Sequence, residues 1–162
     1  MILIPTCNAR AGRHGGLAVL CLLAVVLGVA CSSRPKPGPS EDGPLHAYQL
    51  ARVMFEQGRV DQALEKIEVS LERDDTIPQT HFFKGYIYWS MERWEEAAAS
   101  FRDALEIHAH YTNARSFLAD CLSRMGRHQE ALDELAVALK DQSFPNKEKI
   151  YFNRSMVYRE LG

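Results

Sequence analysis

A repeat period of about 34 residues constrains this chain more than any other feature of its sequence. Small residues recur at this period at Ala63, Ala97 and Ala131. Large apolar residues recur at the same period at Ile67, Phe101 and Leu135. Between them the apolar residues follow the spacing of an amphipathic helix. A helical spacing inside a longer repeat indicates stacked helical hairpins, because one hairpin cannot bury its apolar face alone. The sequence therefore predicts an all-α solenoid.

The repeated positions alternate small and large side chains in a way that predicts how the hairpins pack. Two helices approach closely only where small side chains face each other, and larger side chains fill the space toward the next repeat. Gly58 and Gly126 stand where a first helix must end and suit a left-handed cap, whereas Glu92 holds that place in the middle repeat. The predicted packing residues are Ala63, Gly85, Tyr88, Ala97, Phe101, Ala104, Ala119, Ala131, Leu135 and Ala138.

This combination of period and residue size resembles tetratricopeptide repeats, from about Pro44 to Gly162. The resemblance implies a helical-hairpin solenoid of about three and a half repeats. The repeat boundaries are 44–77, 78–111, 112–147 and a partial repeat at 148–162. The partial repeat aligns with the third only if the period lengthens slightly, because the link before it is longer. We expect either that a longer protein continues beyond Gly162 or that the final helix caps the solenoid.

Residues 1–30 have the pattern of a signal peptide. Arg10 and Arg13 precede an uncharged run from Gly15 to Ala30, which is too short to span a membrane comfortably. The small residues before Cys31 resemble a bacterial lipoprotein processing site, which implies a signal peptide at 1–30 and acylation of Cys31. An uncleaved anchor helix or an ordinary secretory signal is the alternative.

Residues 31–43 are rich in proline, serine and glycine and predict a flexible tether, because they have almost nothing to bury. Ser32, directly after Cys31, is similar to the residue in lipoproteins that are passed on to the outer membrane. That resemblance implies a lipid-anchored protein that faces the periplasm of a Gram-negative bacterium.

A concave surface lined by the first helix of each repeat is implied by the resemblance. By the same resemblance, the repeat positions that point into this surface are occupied here by Tyr48, Arg52, Phe55, Phe82, Tyr86, Trp89, Ser116, Asp120, Phe152 and Met156. Phe82, Tyr86 and Trp89 have i, i+4, i+7 spacing and form one stripe, separate from the stripe of Gly85 and Tyr88. The aromatic stripe either binds a partner or is buried by neighbouring repeats.

An aromatic groove suits an apolar or amphipathic segment of a protein partner. Repeats of this class that clamp a terminal carboxylate use lysine and asparagine at groove places where this chain has Tyr48, Arg52, Phe82 and Tyr86. A partner that offers only an acidic chain terminus is therefore disfavoured.

Catalytic and metal-binding patterns are missing from the sequence. His108 and His110 do not share a helical face, and no cysteine or carboxylate completes a ligand set with them. Cys121 stands alone in a helical pattern. The formal net charge of −2 gives no basic field for nucleic acid. We therefore predict no catalytic residue, no metal, no cofactor and no nucleic-acid partner, and expect the chain not to be an enzyme.

The order of leader, proline-rich tether, repeats and the longer link from Ser143 to Tyr158 resembles the type IV pilus biogenesis lipoproteins called pilotins. That resemblance implies an outer-membrane lipoprotein that helps a pilus secretin reach, insert into or multimerise in the membrane. The alternatives are a general repeat scaffold lipoprotein of envelope assembly or secretion, and the N-terminal part of a larger enzyme.

Overall fold

A computed structural model of the chain describes residues 43–162, and these residues are helical apart from short links. The described part contains seven α-helices. They are α1 (Pro44–Glu56), α2 (Val60–Arg73), α3 (Pro78–Ser90), α4 (Trp94–Ile107), α5 (Thr112–Arg124), α6 (His128–Leu139) and α7 (Lys147–Leu161). The predicted signal peptide, Cys31 and all of the tether except Gly43 lie outside the described residues.

The helices form hairpins that stack in chain order. Within the hairpins α1 packs on α2, α3 on α4, and α5 on α6. Successive hairpins meet through α2 and α3, through α4 and α5, and through α6 and α7. The first helices begin at Pro44, Pro78 and Thr112, so their starts are evenly spaced at the repeat period. The prediction of an all-α hairpin solenoid is confirmed.

Each hairpin turns through the same left-handed cap. Gly58 and Gly126 have φ of 75° and 74°, and Glu92 adopts φ of 58° at the equivalent place. After each of these residues, the next backbone N–H returns to a carbonyl near the end of the first helix, as from Arg93 N to Tyr88 O at 3.0 Å. Glu92 accepts a left-handed conformation that costs a side-chain-bearing residue roughly 1 kcal/mol. The hairpin geometry therefore persists even where the glycine is missing.

The arginines that recur at the repeat period lie at exposed turns between the two helices of each hairpin. Arg59, Arg93 and Arg127 each precede the first residue of a second helix. Arg93 Nε donates to Glu96 Oε1 at 2.9 Å, and Arg127 Nε donates to Glu130 Oε1 at 2.7 Å. These hydrogen bonds lower the pKa of both glutamates. Exposed ion pairs of this kind contribute little to stability.

The predicted packing residues lie between paired helices. Those with exposed fractions of 0% or 1% are Ala63, Ala97, Phe101, Ala104, Ala119, Ala131, Leu135 and Ala138. Gly85 is buried directly against the Phe101 ring, and a Cβ at Gly85 would lie 2.7 Å from Phe101 Cε1. Tyr88 is half-buried, with the guanidinium of Arg93 4.6 Å from its ring centroid. The small residue at position 85 is thus what lets α3 and α4 approach.

Helix α7 packs with only one of its faces. Ile150 and Val157 are buried, and in the lengthened register of the last repeat they correspond to buried Ala114 and Cys121 of α5. Tyr158, on another face, is 56% exposed because no second helix packs against it within residues 43–162. The longer link therefore brings α7 onto the solenoid as a further first helix.

Within residues 43–162, none of the helices combines the length and the apolar character that crossing a membrane requires.

Candidate functional site

Aromatic rings join the first helices side by side. Phe55 of α1 meets Tyr86 of α3 edge to face, with ring centroids 5.6 Å apart. Tyr86 meets Phe117 of α5 at 5.6 Å, and Trp89 meets the same ring at 5.4 Å. The Lys149 ammonium of α7 lies 4.0 Å from the Phe117 centroid. Ring contacts thus join the first helices from α1 to α5, and Lys149 extends them to α7; we call this row the aromatic surface.

A cavity of about 390 Å³ opens on this surface between α3, α5 and α7. We call it the groove, and it is lined by Tyr86, Trp89, Phe117, Asp120, Arg124, Lys149, Phe152 and Asn153. A second cavity of about 240 Å³ continues from it along α5 and α7, sharing Asp120, Arg124, Phe152 and Asn153. The groove size falls within the range of about 300–1,000 Å³ that is usual for ligand pockets.

We call Trp89 of α3 and Phe117 of α5 the floor of the groove. A hydrogen bond between side chains of α3 and α5 holds Trp89 in place. Trp89 Nε1 donates to Asp120 Oδ2 at 2.6 Å, and the other carboxylate oxygen of Asp120 lies 4.0 Å from Arg124 Nε. The bond satisfies the only polar group of the indole, so the ring can lie half-buried beside the cavity. Asp120, one of the predicted groove residues, therefore positions Trp89.

Lys149 brings a partly desolvated cation into the groove. Burial is the largest influence on its ammonium and lowers its pKa, against a smaller opposite effect of Asp120. Within residues 43–162, no carboxylate forms an ion pair with this ammonium. Its closest described interaction is with the Phe117 ring face. The groove therefore holds a positive charge without a paired carboxylate from the described chain.

Two of the predicted groove residues serve the packing of repeats instead. Ser116 is 1% exposed because α7 covers it, and its Oγ accepts a bond from Asn153 Nδ2 at 3.2 Å. The expectation that Ser116 is available to a partner was wrong. Phe82 is half-buried, and its ring lies 5.1 Å from the Tyr111 ring and 5.6 Å from that of Phe101. For Phe82, the alternative of burial by a neighbouring repeat describes the structure.

The predicted residues of α1 lie away from the groove. Tyr48 packs edge to face against Phe83 at 5.7 Å and lines a separate apolar cavity of about 160 Å³ beside Leu45. Arg52 is exposed and pairs with Glu56 at 3.7 Å. The ring of Phe55 continues the aromatic surface without lining the cavity. The structure does not bring these α1 residues together with Trp89 around one cavity.

The predicted residues of α7 both border the open space. Phe152 is 63% exposed, the highest exposure among the large hydrophobic side chains of residues 43–162. Met156 is half-buried and lines the second cavity. An aromatic side chain of this exposure at the rim of a cavity is available for burial by a partner. Whether these residues bind a partner stays a prediction.

Sequence reasoning missed Phe117, Lys149 and Asn153 as groove residues. None of the three occupies a place that the family resemblance carries into the concave surface. A signal for Phe117 was present, since Phe83 stands one repeat period before it and the two phenylalanines lie in equivalent helices. The positions of Lys149 and Asn153 follow from the register of α7 after the longer link, and the sequence contains no comparable signal for that register.

The remaining reactive groups form no catalytic arrangement within residues 43–162. Cys121 is buried, and burial raises the pKa of its thiol to about 12, so the nucleophilic thiolate is scarce. His108 and His110 are exposed at a cavity between α4, α5 and α6, and residues 43–162 contain no cluster of three or more metal-ligating side chains. Asp141, at the same cavity, has a pKa lowered to about 2 by hydrogen bonds from Ser143 and Thr112.

Comparisons with known proteins agree with this geometry. Residues 88–146 match the family model described as tetratricopeptide repeat. A curated relative, tetratricopeptide repeat protein 16 of Macaca fascicularis, is 25% identical over 129 residues, and the match covers 72% of this chain. The match spans only 14% of that relative's length.

Solved structures with this fold include the first tetratricopeptide domain of Spaghetti (RPAP3) bound to the HSP90 peptide SRMEEVD. It has a TM-score of 0.69 and 17% identity, over 78% of this chain and 98% of that one. MamA has a TM-score of 0.69 and 16% identity, over 76% of this chain and 71% of that one. At these identities the likeness concerns the fold alone. The repeat period, the stacked hairpins and these matches together identify residues 44–162 as a tetratricopeptide-repeat fold.

Proposed function

We propose that this chain is a non-enzymatic scaffold that holds a protein partner in the groove. In this proposal Cys31 carries a lipid that anchors the chain to the outer membrane, with the repeats facing the periplasm. The partner is an apolar or amphipathic segment of an envelope protein, and the process served is type IV pilus biogenesis, through localisation or multimerisation of the secretin.

The observation that carries the binding part of the proposal is the open aromatic cavity between α3, α5 and α7. Its lining includes Trp89, Phe117 and Phe152, and Phe152 is 63% exposed. Tryptophan and tyrosine in a cavity are among the side chains that dominate binding energy at protein interfaces. A fold whose solved examples include complexes with HSP90 and HSP70 peptides supports a peptide segment as the ligand.

Capture of a partner should depend on Phe152. We expect Phe152→Ala to reduce the amount of partner crosslinked to the full-length chain in membranes by roughly tenfold, because the change removes an exposed anchor. Its stability should change by less than about 0.5 kcal/mol, since the side chain is mostly outside the core. Mass spectrometry of crosslinked, affinity-purified chain measures capture and identifies the partner.

Tyr158→Ala is the matched control, because Tyr158 is a similarly exposed aromatic of α7 that does not line the groove. It should capture the partner as the unaltered chain does. Equal capture by both variants would contradict binding in the groove. A secretin among the captured proteins supports the pilus assignment, whereas other envelope proteins without a secretin support the general scaffold.

The anchor should depend on Cys31. We expect Cys31→Ala to abolish incorporation of radiolabelled palmitate and to move the chain from the membrane fraction to the soluble fraction, because the thiol that the lipid would modify is then missing. Cys121→Ala is the control for labelling and should retain the palmitate, since Cys121 is buried in the repeat domain. Continued labelling of the Cys31→Ala variant would sink the lipoprotein assignment.

A further inference from the structure

The charges of the groove are not balanced. Arg124 and Lys149 are its two basic residues, and Asp120 is its one acidic residue. The Asp120 carboxylate is already engaged, because it accepts the Trp89 N–H at 2.6 Å and approaches Arg124 Nε at 4.0 Å. Arg124 is more than half exposed, and its guanidinium carbon lies 5.6 Å from the Trp94 ring centroid. The groove therefore has one positive charge in excess, and it lies beside an apolar floor.

Lys149 is where this excess charge is least well solvated. Its ammonium covers the Phe117 ring at 4.0 Å, while burial lowers its pKa. A carboxylate placed beside such an amine restores the counter-ion that the described chain does not provide, and it favours the charged form. A cationic ligand would instead add a like charge at the same place and compete for the Phe117 ring.

We propose that the groove recognises a short peptide segment in which a large apolar side chain is followed by an aspartate or glutamate. The apolar side chain fills the space between Trp89, Phe117 and Phe152, and the carboxylate lies between Lys149 and Arg124. This inference rests on the proposed function, since it names the chemistry of the partner segment that the groove holds.

The position of the two cations does not require a free chain terminus. Both stand at the edge of an apolar cavity, on α5 and α7, so the anchor side chain and the carboxylate are bound next to each other. An internal acidic side chain satisfies this arrangement without a free C-terminus. The aromatic floor supplies most of the buried apolar area, and the charged pair selects among apolar segments.

Three synthetic peptides test the proposal against the full-length chain. All have acetylated and amidated ends, so that no terminal charge contributes, and all contain Leu-Phe between Gly-Ser flanks. The next two residues are Asp-Glu in the acidic peptide, Asn-Gln in the amide peptide and Lys-Lys in the basic peptide. Fluorescence anisotropy of each labelled peptide gives its Kd. We expect the acidic peptide to bind about tenfold tighter than the amide peptide and the basic peptide to bind weakest.

Single substitutions locate the selectivity. Lys149→Gln should remove most of the difference in Kd between the acidic and amide peptides, chiefly by weakening binding of the acidic peptide. Lys66→Gln is the matched control, because Lys66 lies on α2, pairs with the adjacent Glu65 and lies outside the groove. It should leave the preference for the acidic peptide unchanged. Circular dichroism of each variant checks that the helices are retained.

Each outcome decides the proposal. Equal binding of the acidic and amide peptides overturns the inference. If Phe152→Ala then loses both peptides, the groove still stands as a protein-binding site. Tightest binding of the basic peptide overturns the inference as well. If no peptide binds up to about 1 mM, the weak end of specific affinity, the inference fails. The proposed function fails with it only if Phe152→Ala also captures partner normally from membranes.

Discussion

The Gly85→Val variant is expected to lose about 3 kcal/mol of unfolding free energy, because overpacking a filled core costs about 1–3 kcal/mol or more. Even the first added carbon would lie 2.7 and 2.8 Å from two atoms of the Phe101 ring. Phe101 is fully buried, and the Phe82 and Phe117 rings lie 5.6 Å from it, so it has little room to move. The overlap must therefore be relieved by separating α3 from α4.

Urea unfolding followed by circular dichroism measures this loss. Ala99→Val is the matched control, since Ala99 is exposed on α4 and valine there costs only the helix propensity difference of about 0.6 kcal/mol. Adding Phe101→Leu to Gly85→Val should recover part of the loss, because the smaller side chain makes room for the new carbons. An unchanged midpoint for Gly85→Val would mean that α3 and α4 do not depend on close approach at this position.

The hairpin order and the core could be predicted because they depend on local rules. A regular repeat with small and large places determines which helix faces meet, and Ala97 and Phe101 are fully buried at those places. The left-handed turn at Gly58 follows from the same pattern. It also survives at Glu92, where the residue type alone would not have predicted a φ of 58°. At Glu92 the packing of the hairpin overrides local preference.

The groove was harder to predict because it depends on contacts between repeats. The stripe of Phe82, Tyr86 and Trp89 is regular in sequence, yet the structure divides it. The ring of Phe82 packs against the rings of Phe101 and Tyr111, whereas Trp89 borders the cavity. The contacts between successive hairpins determine which ring lies under the next repeat, and the pattern of a single helix does not specify them. The predictions for Cys31 and the leader concern residues that the structure does not describe.

The groove floor is also part of the contact between repeats. Phe117 borders the cavity and at the same time packs against half-buried Phe82 and fully buried Phe101. A substitution of a floor residue therefore changes stability and binding together, whereas a rim residue such as Phe152 can report on binding alone. Loss of binding in a floor variant means little until its stability has been measured.

Truncation of the floor at Phe117 is the second large effect that we expect. Phe117→Ala should lower the free energy of unfolding by about 3 kcal/mol, the low end of the range for a core phenylalanine, because the ring is partly buried. The ring lies within 5.7 Å of four other aromatic rings of α3 and α4, and Lys149 covers its face at 4.0 Å. The variant should also lose partner capture, because Trp89 loses the neighbour that supports it.

Phe117→Leu separates the two effects. Leucine keeps much of the apolar volume, so the loss of stability should stay under about 1.5 kcal/mol. It removes the ring face that holds the Lys149 ammonium, so Lys149 is no longer fixed beside the cavity. We therefore expect Phe117→Leu to fold, with a modest decrease in Tm in thermal unfolding, and yet to bind the acidic peptide several-fold more weakly. Unchanged peptide binding in a folded Phe117→Leu variant would show that the ring supports the repeats and not the site.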